Sequence, residues 1–258
     1  MGARQHLAII GDGAVAAAFL SVARLVPGDR LTLIGPNVHR FGAGRFYADH
    51  DARHPWRLAY LLDRPNGEMT EGFADWLAAE WPVLLPEIAV AQPLHVRRWS
   101  EALSEGAFGD FAAPRAIYGR YLARRSSERL AKLVEDGVQV QLITGLATDL
   151  SRADDQFRIT LASGEVIKAD RVDVATGGPA NQRFGVDAGP TAFTTLYDNE
   201  EAIARVLKPG WEVTCLGAST EVLDVMHFLR SAWPNQELRL RVLRDRATPE
   251  LDSDPEYL

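Results

Sequence analysis

Little in this chain of 258 residues points to an oxidising compartment, a membrane or a nucleic acid. It holds one cysteine, Cys215, so no disulfide can form within the chain. The place of that cysteine in an apolar strand-like run reads as a core thiol rather than a nucleophile. No run approaches the ~18 apolar residues of a membrane span. The alanine-rich stretch after Arg4 is broken by Asp12 and flanking glycines, which suits a strand and turn and not a secretory leader. Basic charge is short as well: 28 Lys and Arg stand against 35 Asp and Glu, a net charge of −7. Without a dense basic block, nucleic acid is excluded as the expected partner. Low-complexity sequence is absent too. A cytoplasmic protein working on a small molecule, with no membrane and no nucleic acid as partner, is the expectation.

What is present is ordinary globular material, 47% hydrophobic and 24% charged, long enough to bury a sizeable core. Two stretches use one device: Leu7-Ala-Ile-Ile-Gly-Asp-Gly-Ala-Val-Ala and Val213-Thr-Cys-Leu-Gly-Ala-Ser-Thr-Glu-Val. Each is an apolar run that breaks at glycine and resumes with helical periodicity. A helix start offers unpaired N–H groups and a positive dipole end, so strand, glycine turn and helix in that order can hold a dinucleotide pyrophosphate.

The first stretch reads G-x-G-x-x-A over Gly11, Gly13, Ala14, Val15 and Ala16. It predicts a strand over Leu7–Ile10, a helix over Ala14–Val26 ended by Pro27-Gly28, and a second strand over Leu31–Ile34. The end of that second strand should offer an acid to a ribose. The chain has Ile34-Gly35-Pro36-Asn37 there, so Asn37 or backbone groups are the candidate ribose contacts. Residues 35–70 predict a long ordered loop, which in a compact domain is usually functional. A short helix over Gly72–Trp81 and a long one from Pro114 to Gly137 follow. Val138–Ile143, Gln156–Leu161 and Glu165–Ala169 read as strands of a β-meander. Arg171-Val-Asp-Val-Ala-Thr-Gly-Gly is then a strand closing in a glycine pair; Asp173 within it needs a donor that the sequence does not name.

These residues also carry a resemblance. Gly42-Ala-Gly-Arg-Phe-Tyr47, Leu61-Leu-Asp-Arg-Pro-Asn-Gly-Glu-Met-Thr70, Phe73-Ala-Asp-Trp-Leu77 and Phe111-Ala-Ala-Pro-Arg-Ala-Ile-Tyr-Gly-Arg-Tyr-Leu122 resemble an FAD/NAD(P)-binding family. Its members read roughly GAGxxY, LLNxPxxxMS, FxxWL and FxPRxxYGxYL. The matches keep order and spacing over residues 7–245, and the wider group includes flavin-containing and N-hydroxylating monooxygenases. The resemblance implies a two-dinucleotide α/β fold: a Rossmann-like FAD-binding domain with a β-meander over 1–180, a shortened NAD(P)-binding-like module over 181–245, and a tail over 246–258. It implies FAD contacts at Gly42, Gly44, Arg45, Met69, Thr70, Ala175, Thr176 and Gly177 beside those of the first turn. Arg115 has two readings, a flavin- or substrate-facing cation and a structural core residue. The departures are Asp63 for Asn, Gly35 for the ribose acid, and Asp12 and Val15 in the first turn. In the second turn Gly217-Ala-Ser-Thr-Glu-Val-Leu-Asp224 resembles GxGLTxxD, with Ser219 crowding the phosphate approach, so NAD(P)H binding is expected to be weak or absent.

Other constellations are read as structural. His50 and His54 lie in loop sequence and are not taken as a metal site. Arg124, Arg125 and Arg129 form a solvated helix face, and Glu221 stands where a nucleophile elbow requires glycine. The expected function is therefore an FAD-dependent oxidoreductase of oxidase or monooxygenase type. The alternatives are a flavin-binding subunit that works with a partner and a nicotinamide reductase without flavin. Apolar surface near Val213–Leu216 and Leu238–Leu243 leads us to expect a homo-oligomer or a second kind of subunit.

Overall fold

Apolar residues at every position of Leu7–Ile10 and nearly every position of Leu31–Ile34 demand cover on both faces, and a sheet sandwiched between helices and a second sheet provides it. The computed structural model describes residues 4–51, 54–177, 189, 191–197, 199–208, 210–217, 220–237 and 239–243. It opens with β1 (His6–Ile10), α1 (Ala14–Val22) and β2 (Arg30–Gly35), a strand-helix-strand unit whose strands pair in parallel. The loop that follows is built of short 3-10 turns and leads to α2 (Phe73–Ala91), α3 (Pro93–Ser104) and α4 (Arg115–Glu135). Next come β3 (Gln139–Thr144), β4 (Ala147–Ala153), β5 (Gln156–Leu161), β6 (Val166–Ala169) and β7 (Arg171–Val174).

The central sheet has the order β3-β2-β1-β7, with all neighbours parallel. Leu7 lies opposite both Leu31 and Arg171, which sets the register. Leu7, Ile9, Leu31 and Leu33 point to one face and pack on Ala16 and Leu20 of α1 and Leu133 of α4. Ala8, Ile10 and Ile34 point to the other face and meet Ile159, Leu161, Ile167 and Ala169 of an antiparallel meander ordered β4-β5-β6. Leu31 and Leu33 are fully buried, each contributing roughly 1.5–3 kcal/mol of transfer free energy.

The last described elements are α5 (Glu200–Val206), β8 (Glu212–Leu216), α6 (Thr220–Ala232) and β9 (Arg239–Leu243). β8 and β9 pair in parallel with Val213 opposite Leu240, so β8-α6-β9 is a second strand-helix-strand unit. It is seated on the first part of the chain by a shared apolar cluster. Trp56 and Tyr60 from the 3-10 region pack with Leu196, Tyr197, Phe228 and Leu229.

The elements differ from those read in the sequence at several places. α1 stops at Val22, with Ala23 already extended, because Asp29 holds the following turn by accepting from Gln5 N and Val26 N, both at 2.9 Å. α2 runs on to Ala91 through Pro82 and Pro86; the stripe of Phe73, Leu77, Leu84 and Ile88 buries in one cluster and outweighs the lost backbone bonds. α3, over Pro93–Ser104, has no counterpart in the sequence reading. The run Val138–Ile143 belongs to the parallel sheet and not to the meander, whose first strand is Ala147–Ala153. That strand is mostly exposed and so lacks the apolar alternation by which strands are recognised. Asp173 is half-buried on an edge strand, and Arg171 two residues earlier donates to its Oδ1 at 3.0 Å.

Candidate cofactor site

Gly11 shows why the first turn needs glycine. Its φ is +115°, and a Cβ there would lie 2.1 Å from the Ala175 carbonyl oxygen. That close approach joins three strand ends: Gly11 N donates to Ile34 O at 2.8 Å, and Ala175 N donates to Ile10 O at 2.7 Å. The turn therefore sits at the carboxyl ends of β1, β2 and β7, where parallel sheets place their ligands.

Gly13 caps α1 with no side-chain hydrogen bond and no acid in the first helical turn. The first turn of the helix thus adds no negative side chain of its own to offset the positive end. Val15 in that turn is 57% exposed, so the helix start faces solvent. The segment Gly42–Gly44 closes on the same turn from the other side. Gly42 N donates to Asp12 O at 2.8 Å, and a Cβ on Gly44 would lie 2.7 Å from the Gly13 Cα. Asn37 approaches through its backbone, donating to Asp12 Oδ2 at 2.5 Å. Arg45 has an exposed side chain, and its carbonyl accepts from Arg57 Nη1 at 2.8 Å. Thr176 and Gly177 are exposed at the rim. Eleven expected cofactor residues are thereby brought to one end of the sheet: Gly11, Gly13, Ala14, Val15, Asn37, Gly42, Gly44, Arg45, Ala175, Thr176 and Gly177.

Met69, Thr70 and Arg115 stand apart from that group. Met69 packs against the aromatic cluster between α2 and α4. Thr70 Oγ1 shares a 2.5 Å hydrogen bond with Tyr118 OH, and the Tyr118 ring meets Tyr47 edge-on at 5.0 Å. Gly119 lets this happen: a Cβ there would strike the Tyr47 carbonyl at 1.9 Å. The Tyr-Gly-Arg-Tyr run of α4 is thus a bed for the loop. Arg120 adds an electrostatic staple, donating to both oxygens of Asp49 at 2.8 and 2.9 Å and of Glu87 at 2.5 and 2.9 Å. Burial opposes ionisation of Asp49, but the Arg120 hydrogen bonds and charge overcome it and hold the carboxyl below its ordinary value.

Arg115 is buried and committed to protein groups. Nε donates to Leu61 O at 2.9 Å, and Nη1 donates to Tyr197 OH at 2.8 Å and to Asp224 Oδ2 at 2.5 Å. Tyr197 OH also donates to that Asp224 oxygen. Burial pushes the Tyr197 hydroxyl upward and, reinforced by the Asp224 hydrogen bond, keeps it protonated. This favours the structural reading of Arg115. Its partner was legible in one respect, since Asp224 closes the second-turn pattern; Tyr197 carried no signal. A second buried pair, Arg57 Nη2 to Glu200 Oε1 at 3.3 Å, also joins the two parts of the chain and was not anticipated.

His50 and His54 each pair with a neighbouring carboxylate. His50 Nδ1 lies 3.1 Å from Asp49 Oδ1 and His54 Nδ1 lies 3.0 Å from Asp51 Oδ1, and among the described residues no group of three potential ligands forms. Cys215 is half-buried, and burial raises its thiol. Ser219 and the tail over 246–258 lie outside the described residues. Among the described residues no helix is long and apolar enough to cross a membrane.

The residues at the turn fit a pyrophosphate cofactor: a helix start with no side-chain cap and no acid in its first turn, and two glycine-bearing turns. Among solved structures, the chain is similar to an ornithine N-hydroxylase of Kutzneria sp. 744, at 18% identity over 67% of this chain and 36% of that one, TM-score 0.32. It is similar to a lysine monooxygenase of Nocardia farcinica at 14% identity, covering 93% and 59%, TM-score 0.47. It is also similar to OTEMO in complex with FAD and NADP at 15% identity, covering 92% and 38%, TM-score 0.45. Such distant likenesses assign no residue a role, and the chain spans less than two thirds of each of those structures. No curated protein matches it. A family model does, over residues 8–179, which takes in the glycine turn, the loop, α4 and β7. The chain belongs to the FAD-NAD(P)-binding family.

Proposed function

We propose that this chain binds FAD across the Gly11–Val15 turn and the Gly42–Arg45 segment and works as an FAD-dependent oxidoreductase on a small molecule, of oxidase or monooxygenase type. The observation that carries the reading is the seat of Gly44 against Gly13 at an uncapped helix start, with Ala175 closing the third side. Helix dipole and free N–H groups would hold the pyrophosphate. Bound FAD would supply the redox chemistry, and the chain would supply position, electrostatics and exclusion of water. In this reading residues 1–180 are the FAD-binding domain and 181–245 a second, NAD(P)-binding-like module that takes NAD(P)H weakly or not at all.

The test is the absorbance spectrum of the purified protein together with its thermal shift on adding FAD. Flavin absorbance or a saturable FAD-induced shift supports the reading. A colourless protein with no shift overturns it. A second reading, a flavin-binding subunit acting with a partner, is favoured by one observation: Leu216 and Leu243 at the ends of β8 and β9 are 67% and 50% exposed. Turnover by the purified chain alone distinguishes the two.

A further inference from the structure

Asp12 stands between the two glycines of the first turn, and its side chain lies over the end of β2. A Cβ built on Gly35 would be 2.7 Å from the Asp12 Cβ and 2.7 Å from its Oδ2. A side chain at 35 and a carboxylate at 12 therefore compete for one volume. Asp12 is 8% exposed, and its main-chain oxygen and Oδ2 are fixed by Gly42 N and Asn37 N. Oδ1 has no hydrogen-bond partner among the described residues.

A dinucleotide fold of this kind places an acid at the end of its second strand to accept from the adenosine ribose hydroxyls. In this chain that strand ends in Gly35, and the acid appears in the glycine turn instead. Resting on the FAD reading above, we propose that Asp12 supplies the ribose-binding carboxylate of the site, so that two departures from the usual pattern are one exchange. The acid has moved from the end of β2 to the turn, and Gly35 is the space it needs. Oδ2, held by the Asn37 N–H, sets the orientation of the group, and Oδ1 accepts from the ribose. Such charge-assisted bonds are short and directional, and a carboxylate fixed before binding loses little freedom on engaging.

The experiment is a reciprocal swap read by FAD affinity, from quenching of flavin fluorescence on titration into apoprotein. Asp12→Asn keeps an acceptor for Asn37 N–H but loses the charge, and FAD should bind about tenfold more weakly, the order expected for one lost charge-assisted bond. Asp12→Gly should bind at least as weakly. Gly35→Glu alone should also bind poorly, because its side chain meets Asp12. The double variant Asp12→Gly with Gly35→Glu returns the acid to the strand and should recover affinity to within a few-fold of the unmodified protein. Undiminished FAD binding by Asp12→Asn, or a double variant no tighter than Asp12→Gly, overturns the inference while leaving the FAD reading intact. Failure of the unmodified protein to bind FAD overturns both.

Discussion

Arg115 Nη1 on α4 lies 2.5 Å from Asp224 Oδ2 on α6, a pair 109 residues apart in sequence with side chains 10% and 3% exposed. Burial works against the Arg115 charge, but Asp224 and Tyr197 overcome it and raise its pKa above the ordinary value. With Trp56 and Tyr60 set against Leu196, Tyr197 and Phe228 beside it, this contact fixes how the second strand-helix-strand unit meets the first. A buried pair of this kind adds little net stability of its own, since desolvation offsets much of the attraction.

Removing one partner is therefore expected to cost more than removing both. Arg115→Met leaves the Asp224 carboxylate buried beside Tyr197 alone and should lower unfolding free energy by about 3–5 kcal/mol. Adding Asp224→Leu should recover most of that loss. Urea unfolding of the two single variants and the double variant measures the coupling directly. Strict additivity of the single effects would show that the two groups do not interact.

The glycines of the site separate folding from binding. A Cβ on Gly13 would meet only the Gly44 Cα, at 3.9 Å, whereas one on Gly44 would press on Gly13 Cα at 2.7 Å. Gly13→Ala should leave the apoprotein melting temperature unchanged within error yet weaken FAD binding, because the methyl faces the phosphate approach. Gly44→Ala should lower the melting temperature even without cofactor. Thermal melts of both variants with and without FAD check this, and equal FAD affinity in Gly13→Ala would move the pyrophosphate away from this turn.

Acid should weaken the fold through buried histidine. His95 donates from Nε2 to Ala112 O at 2.9 Å and stacks on Phe111 at 4.7 Å. Its Nδ1 is buried without a partner among the described residues. Protonating it would add a charge and an unmatched donor in the core, and burial holds its pKa below 6.5. A depressed folded value means that the contribution is present above the ordinary histidine pKa and lost as pH falls through the folded one. His6 and His227, lowered by burial too, act in the same direction. The melting temperature should therefore drop between about pH 7 and pH 5. His95→Gln should show a shallower slope, whatever its absolute stability, and an unchanged slope would assign the acid sensitivity elsewhere.

What could be read in the sequence was what is local. The Gly11-Asp12-Gly13 turn sits between a run of apolar residues and a run of alanines, so strand, turn and helix follow from three neighbouring compositions. The Gly42–Tyr47 and Tyr118–Tyr121 motifs were legible as a resemblance. Their reason, a loop carbonyl resting where Gly119 has no side chain, is a contact across seventy residues that spacing does not carry. β4 escaped because an exposed strand shows no alternation, and α3 because its burial rests on isolated residues such as His95 and Leu103. Gly35 looked like a missing acid until the structure showed Asp12 in its space. That Asp224 and Tyr197 pair with Arg115 was hidden for the same reason, since they lie 109 and 82 residues from it in sequence.

The exposed face of the second unit bears on assembly. Leu216 and Leu243, opposite each other at the ends of β8 and β9, are 67% and 50% exposed on one face of the pair, while Val242, 38% exposed, lies on the other face. Beside them lies a cleft of about 570 Å³ lined by Phe193, Ile203, Leu207, Val213 and Val225. Leaving large apolar side chains in water forgoes roughly 25 cal/mol for each Å² that a partner could cover, and two leucines exposed side by side are a candidate association surface. We expect the purified chain to associate, with a light-scattering mass above the monomer that rises with concentration. Leu216→Lys with Leu243→Lys should shift that mass toward the monomer without changing the melting temperature of the dilute protein, since neither side chain belongs to a buried cluster. A monomer at every concentration, in the unmodified protein as in the variant, would leave this surface without a partner of its own kind and direct the search to a different subunit.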